Sequence, residues 1–253
     1  MADPLHQFQI QKVVELPAFE VAGIPVDLSI TNSVLAMMFA VGAVVLFFAF
    51  STSRAAIIPG RGQVMAEGLF KLVDDLTDSI IGHDGRAFFP FVFTLFLFIL
   101  SCNLVGMTTY FTATSQLAVT LTLALLTIGT VIVVGVLRNG LGFFKLFCPS
   151  GVPWPILPIL IPIEIISFLM RPITLTLRLF GNMVGGHVVM KVFAGFIVAL
   201  ASAGVLGYLG GFISLAAVVA LTALEFLVAY LQAFVFAVLT CVYLNDVVNL
   251  HDH

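Results

Sequence analysis

Apolar residues run along this chain without interruption for lengths that no helix of a water-soluble domain needs, and the charges fall between the runs. From Leu28 to Ser53 there is no Asp, Glu, Lys, Arg or His, and residues 33–53 are apolar enough for a first span; a crossing takes about 20 apolar residues. From Ala87 to Leu137 charge is again absent. At about 1.5 Å per residue this run makes roughly 76 Å of helix, enough for two crossings and a turn. The turn is legible at Thr112–Gln116 (TATSQ), so residues 87–137 are expected as a two-span hairpin. Between these units, residues 60–85 mix Arg61, Glu67, Lys71, Asp74, Asp75 and Asp78 with Leu69, Phe70, Leu72, Val73 and Leu76. That mixture predicts an amphipathic helix lying on a membrane surface.

Beyond residue 138 the pattern changes. A loop and proline-rich lead-in over 138–161 (Pro153, Pro155, Pro158) opens onto a long helical pair over 162–245. Its first run carries Glu164, Arg171, Arg178, His187 and Lys191; a break is expected over Ser202–Gly211 (SAGVLGYLGG), and the run from Phe212 to Leu244 holds one charge, Glu225. Pro162 to Leu200 as a single helix would measure roughly 58 Å against a hydrocarbon core of about 30 Å. Spanning it straight demands a tilt near about 60°, beyond the usual range of about 0–40°. These two helices are therefore expected to lie unusually flat, or to break at Pro172, and to form an antiparallel intramembrane hairpin. A short tail, 246–253, follows.

Composition makes the membrane reading firm. The hydrophobic share is 61% and the charged share 9%, with a mean hydropathy of +1.19; a soluble domain is about 45–50% apolar and about 25% charged. A soluble enzyme, a nucleic-acid binder and a disordered chain are all excluded, and the net charge of −3 offers no basic field for nucleic acid. Cys102, Cys148 and Cys241 lack zinc or CxxC spacing and read as buried free thiols. The N-terminal residues have neither a basic nor an apolar signal-peptide region. The fold class is thus an all-α polytopic membrane protein forming one membrane domain over 1–253. It should hold about five membrane-embedded helices, an amphipathic surface helix, and a strongly tilted final hairpin.

Lys and Arg placement sets the orientation. Arg54, Arg61, Lys71 and Arg86 follow the first span, and Arg138 and Lys145 follow the third, whereas the segment 1–32 has only Lys12. The N-terminal segment is expected outside and the C-terminus in the cytoplasm. No internal repeat is visible, so the inverted-repeat signature of many secondary transporters is missing.

Charges inside the last hairpin are costly, about 2.5–3.5 kcal/mol for a central Arg on insertion scales, and mark ion paths by default. Arg171 and Arg178 are two turns apart, offset by about 20°, and Glu164 lies about 40° off the same face, roughly 21 Å back along the axis. Asn182 is one turn beyond Arg178 on that side. His187 lies about 180° around from Arg178 and roughly 13 Å further along. The opposite helix supplies Glu225, with Gln232 two turns later on the same stripe. These positions suggest a path from outside through His187 and Glu225 toward Gln232 and Arg178. A second polar position at Glu164 lies on the cytoplasmic side, giving two half-paths separated by a fixed cation. Plainer readings stand beside these. Arg171 and Lys191 could snorkel, His187 and Glu225 could be a satisfied core pair, and Gln232 and Asn182 could simply bond helix to helix. Lys191, one turn from His187, could instead tune proton uptake there.

LTLRLFGNMVGGH (175–187) followed by EFLVAYLQAFVFAVLTCVYL (225–244) resembles subunit a of the F-type ATP synthase membrane sector, and SCNLVGM (101–107) resembles a shorter motif of that family. The resemblance covers nearly the whole chain in order and spacing. It implies a stator protein beside a rotating ring of c subunits, with b-type peripheral-stalk subunits and the remaining synthase as partners, protons as the transported ion and no cofactor or metal. Arg178 matches the family's essential arginine facing the ring carboxylate, and Gln232 the glutamine near it. His187 and Glu225 match a pair in the outer half-channel, Glu164 a position of the inner half-channel, and Asn182 a polar residue of the motif.

The physics of such a site is consistent with those roles. A ring carboxyl facing lipid must be neutral, and an opposing guanidinium favours its ionised form. Arg does not lose its proton in proteins, so it also blocks a direct leak, which a lysine would do less well. A bacterial cytoplasmic (inner) membrane is the expected location, with the mitochondrial inner membrane as the other possibility. A sodium-translocating form, a stand-alone channel or secondary transporter, and a membrane enzyme are the rival readings. HExxH and paired intramembrane aspartates are absent, and His187 alone within a span cannot supply a bis-histidine haem pair.

Overall fold

The computed structural model describes residues 11–15, 19–21, 24–26, 29–53, 58–108, 112–147, 155–201 and 204–249. Helices dominate them: α1 (Asn32–Thr52), α2 (Arg61–Ile81), α3 (Gly85–Thr108), α4 (Leu117–Asn139), α5 (Leu157–Ala201) and α6 (Gly204–Val248). Short 3₁₀ turns cover Gly82–Asp84, Ala113–Ser115 and Gly140–Phe147. The structure is that of an all-α polytopic membrane protein. Among the described residues, 5 helical segments are long and apolar enough to cross a membrane, with α2 and α3 merging into one of them.

The N-terminal region holds structure that apolar patterning did not anticipate. β1 (Lys12–Val14) pairs antiparallel with β4 (Ile30–Thr31), and β2 (Phe19–Val21) with β3 (Ile24–Val26) in the register Phe19↔Val26, Glu20↔Pro25, Val21↔Ile24. Asn32 closes the first pair: its backbone N–H donates to the Gln11 carbonyl at 3.0 Å.

Two readings of the long hairpin are corrected: the break at Pro172, the alternative to an unusually flat continuous helix, and the break expected over 202–211. α5 runs unbroken through Pro162 and Pro172 for 45 residues, which is roughly 67 Å. α6 begins at Gly204 and passes through the glycines expected to lie in a break over 202–211. Both corrections have one cause. In lipid, backbone groups released by a break find no water, so a proline, or glycines costing about 1 kcal/mol each, yield to continued helix.

The chain divides into two compact units. The first comprises Met1–Val44, Ile99–Gln116 and Leu179–Gln232; the second comprises Val45–Phe98, Leu117–Arg178 and Ala233–His253.

In the second unit, the amphipathic α2 buries Ala66, Val73, Thr77 and Ile81 on one stripe and leaves Asp75 and Asp78 exposed. Phe70 meets Phe89 at 4.6 Å between ring centroids, and Phe89 stacks on Phe93 at 5.3 Å, which fixes α2 to the start of α3. The chain turns between them at Gly82, whose φ of 80° favours glycine. Helix ends converge in this unit. Arg138 pairs with Asp84 at 2.5 Å, Asn139 Nδ2 donates to the Val247 carbonyl at 2.6 Å, and Asn249 Nδ2 to the Ile81 carbonyl at 3.3 Å. The ends of α2, α4 and α6 therefore lie on one side. Cys102, in the first unit, and Cys241, in the second, are buried free thiols; Cys148 and the end of the tail, 250–253, lie outside the described residues.

Candidate functional site

The first unit holds a buried polar cluster assembled from four segments. α5 supplies His187, α6 supplies Glu225, the end of α3 supplies Asn103 and Gly106, and the turn into α4 supplies Thr112, Thr114 and Ser115. His187 is 8% exposed and Glu225 5%, and His187 Nδ1 bonds directly to Glu225 Oε1. Burying either group alone would cost several kcal/mol, so each requires the other. Gly186 makes the approach possible, because a Cβ there would stand 2.8 Å from Glu225 Oε1.

The far ring nitrogen is also held. His187 Nε2 lies 2.8 Å from Thr112 Oγ1 and 3.3 Å from the Gly106 carbonyl. Thr112 in turn donates to that carbonyl at 3.2 Å. The turn is fixed from below: Thr114 Oγ1 donates to Asn103 Oδ1 at 2.8 Å, and Asn103 Nδ2 to the Ala229 carbonyl of α6 at 3.2 Å. Further along the same two helices, Asn182 Nδ2 donates to Gln232 Oε1 at 2.9 Å. Two buried atoms, Glu225 Oε2 and Gln232 Nε2, have no hydrogen-bond partner among the described residues. They lie two turns apart on one stripe of α6.

The second unit contains the other polar positions. Arg178 is exposed on α5, and among the described residues no carboxylate lies within ion-pair distance of it. Arg171 Nη1 lies 2.9 Å from Asp246 Oδ2, and its guanidinium sits over the Tyr243 ring. Glu164 is half-buried. In the first unit, Lys191 is exposed one turn beyond His187 and close enough to act on it electrostatically.

The sequence-predicted pair His187–Glu225 is thus in contact, and Asn182 and Gln232, each read singly in the sequence, bond to one another. Sequence reasoning missed Asn103, Thr112, Thr114 and Asp246. Asn103 lies inside the SCNLVGM motif, and the uncharged TATSQ turn was read only as a turn although three of its hydroxyls are buried. Asp246 was assigned to the tail. Among the described residues no group of three or more His, Cys, Asp or Glu side chains could hold a metal ion.

A multi-pass α-helical membrane protein with an acid–base pair buried among its helices is the class that fold and site define. The family model of the ATP synthase A chain matches residues 34–245. The ATP synthase subunit a of Allorhizobium ampelinum is 52% identical over 252 residues, covering 99% of this chain and 99% of the relative. The subunit a of Rhizobium etli is 51% identical with the same coverage, and that of Chelativorans sp. is 50% identical over 248 residues, 98% of each. The chain belongs to the ATP synthase A chain family.

Proposed function

We propose that this chain is the proton-translocating stator subunit of an F-type ATP synthase, offering two offset half-channels to the carboxylates of a rotating c-ring. The observation that carries the reading is the buried His187–Glu225 pair. A titratable acid and a titratable base in direct contact inside an apolar helix bundle are costly, and they are expected where protons pass. The outer half-channel runs through His187 and Glu225 toward Gln232 and Asn182, and the inner one begins near Glu164.

Arg178 stands between Glu164 and His187 in the sequence of α5. Its exposure and its lack of a carboxylate partner among the described residues support a role facing a neighbouring subunit. A guanidinium there draws the proton off an arriving ring carboxyl by favouring its ionised form. Because the guanidinium keeps its own proton, it also separates the half-channels. Each proton crossing about 100 mV then delivers about 2.3 kcal/mol to ring rotation. Peripheral-stalk b-type subunits and the c-ring are the partners this role requires. The location proposed with this role is a bacterial inner membrane, the N-terminus outside and the C-terminus cytoplasmic, as the Lys and Arg distribution supports.

The test is ATP-driven proton pumping in inverted membrane vesicles carrying Arg178→Ala, with assembly checked by co-purification of the ring. Pumping should vanish while the complex stays assembled; pumping that survives would overturn the separator role.

A further inference from the structure

We propose that Thr112 is a positioning residue for proton exchange at His187: its hydroxyl turns between the Gly106 carbonyl and His187 Nε2 as the imidazole gains and loses a proton. This rests on the reading that His187 and Glu225 carry protons.

The argument is one of hydrogen-bond supply. Three atoms lie within bonding distance of one another: His187 Nε2, Thr112 Oγ1 and the Gly106 carbonyl oxygen, at 2.8, 3.3 and 3.2 Å. A carbonyl only accepts, a hydroxyl donates one proton and accepts others, and a ring nitrogen does one or the other according to its protonation.

When His187 is doubly protonated, Nδ1–H donates to Glu225 and Nε2–H to Thr112 Oγ1 or Gly106, leaving the threonine proton for the carbonyl. When the ring is neutral and Nδ1–H still donates to Glu225, Nε2 has a bare lone pair. Thr112 is then the one donor in reach among the described residues, and a rotation of its hydroxyl satisfies the nitrogen. Both states are paired without movement of the ring. Thr112 is 2% exposed, and an unmade bond at a buried polar atom is costly.

The turn is built to hold this hydroxyl. Ser115 Oγ donates to the Thr112 carbonyl at 2.6 Å, and the Thr114–Asn103–Ala229 chain fastens the turn to α3 and α6. The charged groups facing His187 are Glu225 from α6 and Lys191 from α5; α3 beyond Arg86 and the turn carry no charge.

The experiment measures ATP-driven pumping over a pH series in vesicles holding the whole synthase, with Thr112→Ser, Thr112→Val, Thr112→Ala and Glu225→Gln, each checked for assembly. Serine should keep the wild-type rate and pH profile. Valine and alanine should slow pumping about tenfold and displace its profile toward alkaline pH. The protonated ring keeps the Gly106 acceptor, whereas the neutral ring loses its donor. Wild-type profiles in the assembled valine or alanine variant would overturn the proposal. So would a pH-independent loss that serine fails to restore, or failure of both to assemble. Glu225→Gln separates the layers: if it pumps normally, the wider reading fails; if it is blocked while the Thr112 variants are unaltered, only the role of Thr112 fails.

Discussion

Arg171 and Asp246 face each other across α5 and α6 at 2.9 Å, Nη1 to Oδ2, inside the second unit. The same guanidinium lies 4.6 Å from the Tyr243 ring centroid and 5.4 Å from that of Phe168. The side chains are 21% and 31% exposed, neither dry nor fully wet. Thermal dissociation of the purified complex should therefore give a coupling of about 1–2 kcal/mol in a double-mutant cycle of Arg171→Gln with Asp246→Asn. Strictly additive effects would reduce the pair to a stacking contact. Arg171→Lys should recover part of the ion pair but little of the stacking, because an ammonium lacks the planar face.

The second prediction concerns the approach of α5 to α6. Gly186→Ala brings a methyl to 2.8 Å from Glu225 Oε1. A free carboxylate would swing away at little cost, but this one is bonded to His187. Relief of the clash must stretch that bond, so pumping should fall severalfold with the complex assembled. Glu225→Gln should fall further, by at least about tenfold, since an amide cannot take up the imidazole's proton. A Gly186→Ala variant with wild-type pumping would mean that the pair tolerates displacement.

The hydrophobic spacing made the spans legible because lipid allows only satisfied backbone, so length and charge silence suffice to find a crossing. The same constraint explains what was misjudged. The run 202–211 reads as a break, and Pro172 as one of two ways to fit an overlong helix, by rules learned in water, yet α5 passes through Pro172 and α6 through the glycines from Gly204 on. At the site, residues that are rare in lipid were readable one by one: Arg178, His187, Glu225. Asn103 and Thr112 were not, because an amide or a hydroxyl in an apolar run carries little cost and so little signal. Their importance lies in whom they touch, which only the tertiary arrangement states. Asp246 was hidden differently: it sits where a helix end and a tail look alike, and only α6 running on to Val248 brings it round to Arg171.

Asn103 should behave as a latch. Its amide is fully buried and links Thr114 to the Ala229 carbonyl. Asn103→Ala strands the buried Thr114 hydroxyl, at about 1–3 kcal/mol, and removes the tie from α3 to the Ala229 carbonyl of α6. The expected outcome is a lower thermal midpoint for the complex, together with a pumping defect like that of Thr112→Val, since the turn holding Thr112 loosens. Asn103→Asp puts a buried carboxylate oxygen against the Ala229 carbonyl with no cation to pair it, so its loss should be at least as large. A stability loss with an unaltered pH profile would confine Asn103 to packing.

Lys191 separates a structural lysine from one that acts on the pair. It is exposed one turn beyond His187 on the same helix, so its charge stands near the imidazole. A nearby positive charge opposes the arrival of another, so Lys191→Gln should let the His187–Glu225 pair hold its proton more firmly. The pH profile of pumping should then move toward alkaline values, while Lys191→Arg, which keeps the charge, should leave it in place. The shift should shrink as ionic strength rises, because an exposed charge is screened within about 8 Å at physiological salt. If glutamine leaves the profile unchanged at low salt, Lys191 only carries its charge out of the apolar region by snorkelling.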